Sequence, residues 1–131
     1  MVAKNIESRS YKTLDYRIHR RKFINEIFDL AQKLKISPNS AQLGVYLLDL
    51  AMTKLNVPIY YVSLYSAVCL FTAAKAIELD QRIPFIPKLV RTCSDKFSVQ
   101  DVRIAEIQIL EACNWNPLYP TLIEFIEFYL T

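Results

Sequence analysis

Glycine occurs once, at Gly44, in a chain of 131 residues. Type I′ and II′ hairpin turns lean on glycine for their positive φ, so an antiparallel sheet has little with which to turn its corners. Phosphate-cradling loops of the GxGxxG or GxxxxGK kind are excluded for the same reason. Histidine also occurs once, at His19, which leaves no histidine cluster for a metal and no histidine pair for proton transfer. Cys69, Cys93 and Cys113 are odd in number and include no CxxC pair. That spacing suits neither a zinc site nor a disulfide framework, and it fits reduced, mostly buried thiols of a nuclear or cytoplasmic chain without a signal peptide. Charge of one sign is scarce as well: 16 basic and 13 acidic residues leave a net +3, too balanced to imply a nucleic-acid partner. No repeat, linker or low-complexity segment is visible. Acid pairs such as Glu124 and Glu127 fall on the polar side of an amphipathic stretch, where carboxylates are ordinarily solvated. Catalytic residues, a metal and a cofactor are therefore not expected, and the chain reads as a binder rather than an enzyme.

What the chain does have is a long uncharged run, the twenty residues from Leu55 to Ala74, closed by Lys75. Such a run is either a membrane span or the central helix of a bundle. Asn56, Pro58, Ser63, Ser66, Thr72 and three tyrosines dilute it, and several amphipathic helices flank it, so a packed bundle without a membrane is expected. Within the run Leu64, Val68, Phe71 and Ala74 form one apolar face, which Ala67, Leu70 and Ile77 continue.

Helical spacing and caps place the remaining elements. Residues 1–15 read as a loose segment or a short leading helix. A first helix is predicted over 16–34, with Ile24, Ile27, Phe28, Ala31 and Leu34 facing inward. Ser37-Pro38 opens a second helix, which buries Ala41, Val45, Leu48, Met52 and Leu55. The central helix starts near Asn56 and Pro58. Pro84 and Pro87 mark a short fourth helix, from about Phe85 to Thr92. Ser98 with Asp101 forms a capping box for a fifth helix, whose inner face is Val102, Ala105, Ile109 and Ala112. Asn116-Pro117 and Pro120 end that helix, and Thr121 with Glu124 opens a final helix over 118–131.

Read in order, the chain offers a basic first-helix start, YLLDL, a central helix ending AAK, a short proline-bounded helix, E-x-x-x-L, and W-N-P-x-x-P-T-x-x-x-F. This order resembles the cyclin box, the five-helix fold by which cyclins bind and activate cyclin-dependent kinases. Arg20, Asp49, Leu64, Lys75 and Glu106 match the positions that mark that box. Val45 to Leu50 and Trp115 to Leu130 are most similar to the cyclin J subfamily. The resemblance implies an all-α fold with one cyclin box over 16–117. It makes 118–131 a helix leading toward a second box, whether the chain is a fragment or a single-box protein.

It also implies roles. Lys75 and Glu106 would meet a cyclin-dependent kinase beside its helix C, with Ile77, Glu78, Phe85 and Ile86 extending the face. Leu89 would be plain core. Arg20 and Asp49 would form a buried salt bridge joining the first two helices, so that substituting Arg20 unfolds the box. Leu64 would be core. One departure stands out. The first-helix docking patch that receives Arg-x-Leu peptides in many cyclins reads His19, Arg20, Phe23 and Glu26 here, so a charge replaces the aromatic floor and that docking is expected to be weak or absent. Asn25 replaces a nearby acid, leaving Asp49 as the partner of Arg20. The basic cluster from Arg17 to Lys22 reads as a solvated face rather than a nuclear signal. The alternative to a kinase regulator is a cyclin-fold adaptor for a non-kinase partner.

Overall fold

A computed structural model describes residues 2–115 and 117, with side chains from residue 16 onward. Among the described residues there are five α-helices and no strand: α1 (Val2–Leu34), α2 (Pro38–Lys54), α3 (Val62–Ile77), α4 (Ile86–Thr92) and α5 (Val99–Ala112). The helix expected over 118–131 lies outside the described residues.

Caps explain most of the boundaries. Ser37 stands before α2 with its hydroxyl accepting from the Ser40 amide at 3.3 Å, and Pro38 takes the first helical position. Ser98 and Asp101 exchange hydrogen bonds of 3.0 Å at the start of α5. Two expected boundaries move. The helix is continuous from Val2 rather than beginning near Tyr16, because neither glycine nor proline occurs before Pro38 to interrupt it. The central helix begins at Val62 rather than near Asn56: Pro58 opens a 3-10 turn over Ile59–Tyr61, which the Tyr61 amide closes onto the Pro58 carbonyl at 2.9 Å.

The centre of the bundle is α3, which packs against α1, α2 and α5. Residues 59–77 are long and apolar enough to cross a bilayer, and 61% of that stretch is buried inside the fold by the surrounding helices. Leu64, Ala67, Val68, Leu70, Phe71 and Ala74 are all buried, whereas Ile77 reaches the surface. The single glycine serves this packing. A Cβ on Gly44 would lie 3.2 Å from the Leu70 Cα, so α2 and α3 approach closely there.

The register of α1 differs from expectation. Tyr16, Phe23, Ile27, Leu30, Ala31 and Leu34 are buried, while Phe28 is exposed and Ile24 is half-buried. Both stripes have helical spacing, and only the position of α3 selects between them. In α2, Val45 and Leu55 are half-buried at the rim, and Leu43, Leu47 and Ala51 fill the centre with Ala41, Leu48 and Met52.

Candidate functional site

Two charged pairs organise the surface. Arg20 on α1 meets Asp49 on α2 side-on: Nε donates to Oδ1 at 2.9 Å and an Nη donates to Oδ2 at 2.8 Å. Tyr16, one turn before Arg20, donates its hydroxyl to the same Oδ1 at 2.6 Å. Burial first, and then the hydrogen bond to Asp49, push the Tyr16 phenol well above its ordinary pKa. The side chains of Arg20 and Asp49 are 45% and 39% exposed, so this ion pair is not buried as the resemblance implied. Arg20 lies on the outer side of α1, beyond the Tyr16–Phe23 stripe that faces the core, and water reaches both partners. Losing Arg20 therefore strands no buried charge, and the unfolding expected of such a substitution does not follow.

The second pair joins α3 to α5. The Lys75 ammonium contacts Glu106 Oε2, and it also lies 4.8 Å from the centre of the Phe71 ring one turn back. Burial is lopsided: the Lys75 side chain is 40% exposed and that of Glu106 only 15%. Glu106 Oε2 is buried and receives no hydrogen bond besides this ion pair. The carboxylate is thus a fixed base beneath a cation whose remaining N–H groups face outward.

The residues expected beside this pair behave differently from one another. Ile77 is exposed at the end of α3, followed by the still more exposed Leu79. Glu78 is half-buried and turned toward α2, where its carboxylate accepts from the Ser37 amide at 2.6 Å. It braces the start of that helix, a role the sequence did not suggest. Phe85 stands 82% exposed immediately before α4, Ile86 is half-buried against the core, and Leu89 is buried as expected. Leu64 is buried in α3. Among the described residues no group of three or more His, Cys, Asp or Glu side chains could hold a metal ion.

Residues 3–117 match the family described as "Cyclin, N-terminal domain". The chain belongs to the cyclin family. Its five-helix box is similar to Cyclin-J of Xenopus laevis, 30% identical over 98% of this chain, and to Cyclin-J of Homo sapiens, 31% identical over 86%. Cyclin-G1 of Rattus norvegicus is 27% identical over 81% of the chain. The chain spans about a third of the length of these relatives: 35%, 32% and 36% respectively.

Within this cyclin box, the first-helix position of Glu26 is half-buried, and its Oε2 accepts from the Ser63 hydroxyl of α3 at 3.1 Å. The two residues line a cavity of about 210 Å³ with Ile27, Leu30, Cys93 and Phe97. Burial raises the Cys93 thiol pKa, Lys96 lowers it, and the nearby Glu26 charge raises it further. A carboxylate held at the mouth between α1 and α3 is a poor seat for an apolar side chain. Reading the sequence missed Tyr16 as the third member of the Arg20–Asp49 cluster and Phe71 as the ring beneath Lys75. Tyr16 and Phe71 each lie one helical turn from the charge they serve, so an i, i+4 search around the marker residues would have found both.

Proposed function

We propose that this cyclin box is a regulatory subunit that binds a cyclin-dependent protein kinase beside its helix C and favours the kinase's active arrangement. The observation that carries the reading is the Lys75–Glu106 pair, a partly exposed cation fixed on a buried carboxylate. Its free N–H groups are suited to backbone carbonyls at the end of a partner helix. Ile77 and Phe85 supply exposed apolar area beside it, Ile86 contributes its open side, and Glu78 holds the backbone between them. Kinase activity needs helix C swung inward so that its Glu pairs with the strand-3 Lys. A preformed surface that binds the inward state better shifts the population toward it. The chain is itself no enzyme in this reading. Co-expression with a panel of cyclin-dependent kinases tests it: one or more kinases co-purify, and Lys75→Glu or Glu106→Lys removes them while the helical circular dichroism stays intact. A folded chain that retains no kinase, or retains one indifferently to both changes, overturns it.

A non-kinase adaptor is the second reading, favoured by Glu26 and its bond to Ser63. The same feature leads us to expect weak or no docking of Arg-x-Leu peptides in the first-helix groove.

A further inference from the structure

At the opposite side of α4 from its buried Leu89 and Val90, the end of α1 and the α3–α4 connection enclose a groove of about 550 Å³. Its apolar wall is the buried Leu34, the half-buried Ile83 and the exposed ring of Phe85. Its charged groups are Lys35, Arg82 and Lys88, and no acid lines it. All three cations are exposed, and none forms an ion pair with another described residue. Arg20, Lys33 and Lys75, by contrast, are paired with Asp49, Asp29 and Glu106. Three unneutralised cations around one apolar-walled groove, in a chain of net charge only +3, amount to a local positive field set beside exposed apolar area.

We infer that this groove is a docking site for an acidic peptide segment of a partner protein, one that sets an apolar side chain against Phe85 and Ile83 while its carboxylates meet Lys35, Arg82 and Lys88. The three cations are brought together from the turn just after α1, from the 3-10 turn at Asp80–Arg82 and from α4, so they recognise a folded arrangement rather than a basic run. Charge complementarity of this kind raises association rate and selects partners, and the apolar wall supplies the area that charge alone does not. A nucleic acid would want cations without the apolar wall, and a membrane surface would want apolar side chains that insert together; one exposed Phe suits neither as well. The site shares Phe85 with the proposed kinase face but needs neither Lys75 nor Glu106, so it stands or falls independently of the kinase reading.

The test is fluorescence polarisation of the purified chain with a fluorescein-labelled peptide of alternating glutamate and aspartate around a central leucine. Saturable binding that weakens as NaCl is raised is expected. The combined change Lys35→Glu, Arg82→Glu, Lys88→Glu is expected to weaken it roughly tenfold or more, the loss of about one charge-assisted contact. Phe85→Ser, which removes an exposed ring and cannot empty the core, is expected to weaken it roughly three- to tenfold. Lys75→Glu leaves peptide affinity unchanged even where it abolishes a kinase complex, which separates the two sites. Far-UV circular dichroism confirms that each variant is folded. Absence of saturable binding overturns the proposal, as does affinity indifferent to the three reversals. Tighter binding of duplex DNA or phosphatidylserine vesicles than of the peptide, lost in the same variants, overturns it in favour of that ligand.

Discussion

Arg20–Asp49 and Lys75–Glu106 each join two helices through one cation and one carboxylate, yet they are built for different work. In the first, both partners are similarly open to water, the contact is two-pronged, and Tyr16 adds a third hydrogen bond to the same carboxylate. The Asp49 carboxylate takes three hydrogen bonds from α1, so the cluster clasps α1 to α2. In the second, the carboxylate is covered and the cation is left with free donors at the surface. Burial of the two ends, rather than the pairing itself, distinguishes the two pairs.

Reversing charges breaks the comparison most forcefully. Lys75→Glu is expected to weaken a kinase complex roughly a hundredfold, the loss associated with stranding one member of a buried interfacial pair. Arg20→Ala is expected to leave the same complex within a factor of a few. Titration of the purified kinase by calorimetry reads both, and equal losses would show that the two pairs are not functionally distinct.

Stability gives the next largest contrast. Lys75→Ala leaves the covered Glu106 carboxylate without a counter-ion and is expected to cost about 1–2 kcal/mol in urea unfolding. Glu106→Ala frees a cation that already reaches water and keeps the Phe71 ring, so its cost is expected to be about half as much or less. In the clasp the larger cost falls on the acid: Arg20→Ala is expected to cost about 1 kcal/mol, as for a well-formed exposed pair, and Asp49→Ala about 1 kcal/mol more, because it also leaves the Tyr16 hydroxyl without its acceptor.

Tyr16→Phe sharpens the account of the clasp with the smallest effect. Losing the hydroxyl is expected to cost about 0.5–1.5 kcal/mol near neutral pH. The folded chain holds the Tyr16 phenol proton beyond the pH at which the unfolded chain releases it. The stability linked to that proton is complete below about pH 10 and is lost as pH rises past it. Tyr16→Phe is therefore expected to flatten the alkaline limb of stability against pH and to leave the acid limb unchanged. An unchanged alkaline limb would place the loss at other raised groups, such as the buried Cys69 thiol.

Much of this fold is legible one residue at a time. Ser37-Pro38 and the Ser98–Asp101 box start helices where the sequence places them, because capping is a contact among residues three apart. The central helix is recognisable from its uncharged run, although Pro58 sets a 3-10 turn where a helical start was expected. The register of α1 was misread at Phe28, since two apolar stripes on one helix are equivalent until a neighbour covers one of them. Of the candidate site, the positions of Lys75, Glu106 and Phe85 came from the sequence and its resemblance. The direction of Glu78 toward Ser37, forty-one residues away in the chain, did not.

By itself the sequence pointed to a helical fold, because a single glycine leaves few hairpin turns and the caps and apolar spacings are local, and its resemblance added the cyclin box. It also determined which charges are available to pair. The tertiary structure alone decided how deeply each pair is buried, which side of Phe85 and Glu78 faces outward, and that Lys35, Arg82 and Lys88 share a groove. Exposure and proximity between helices depend on how the elements stack, and no spacing along one chain carries that information.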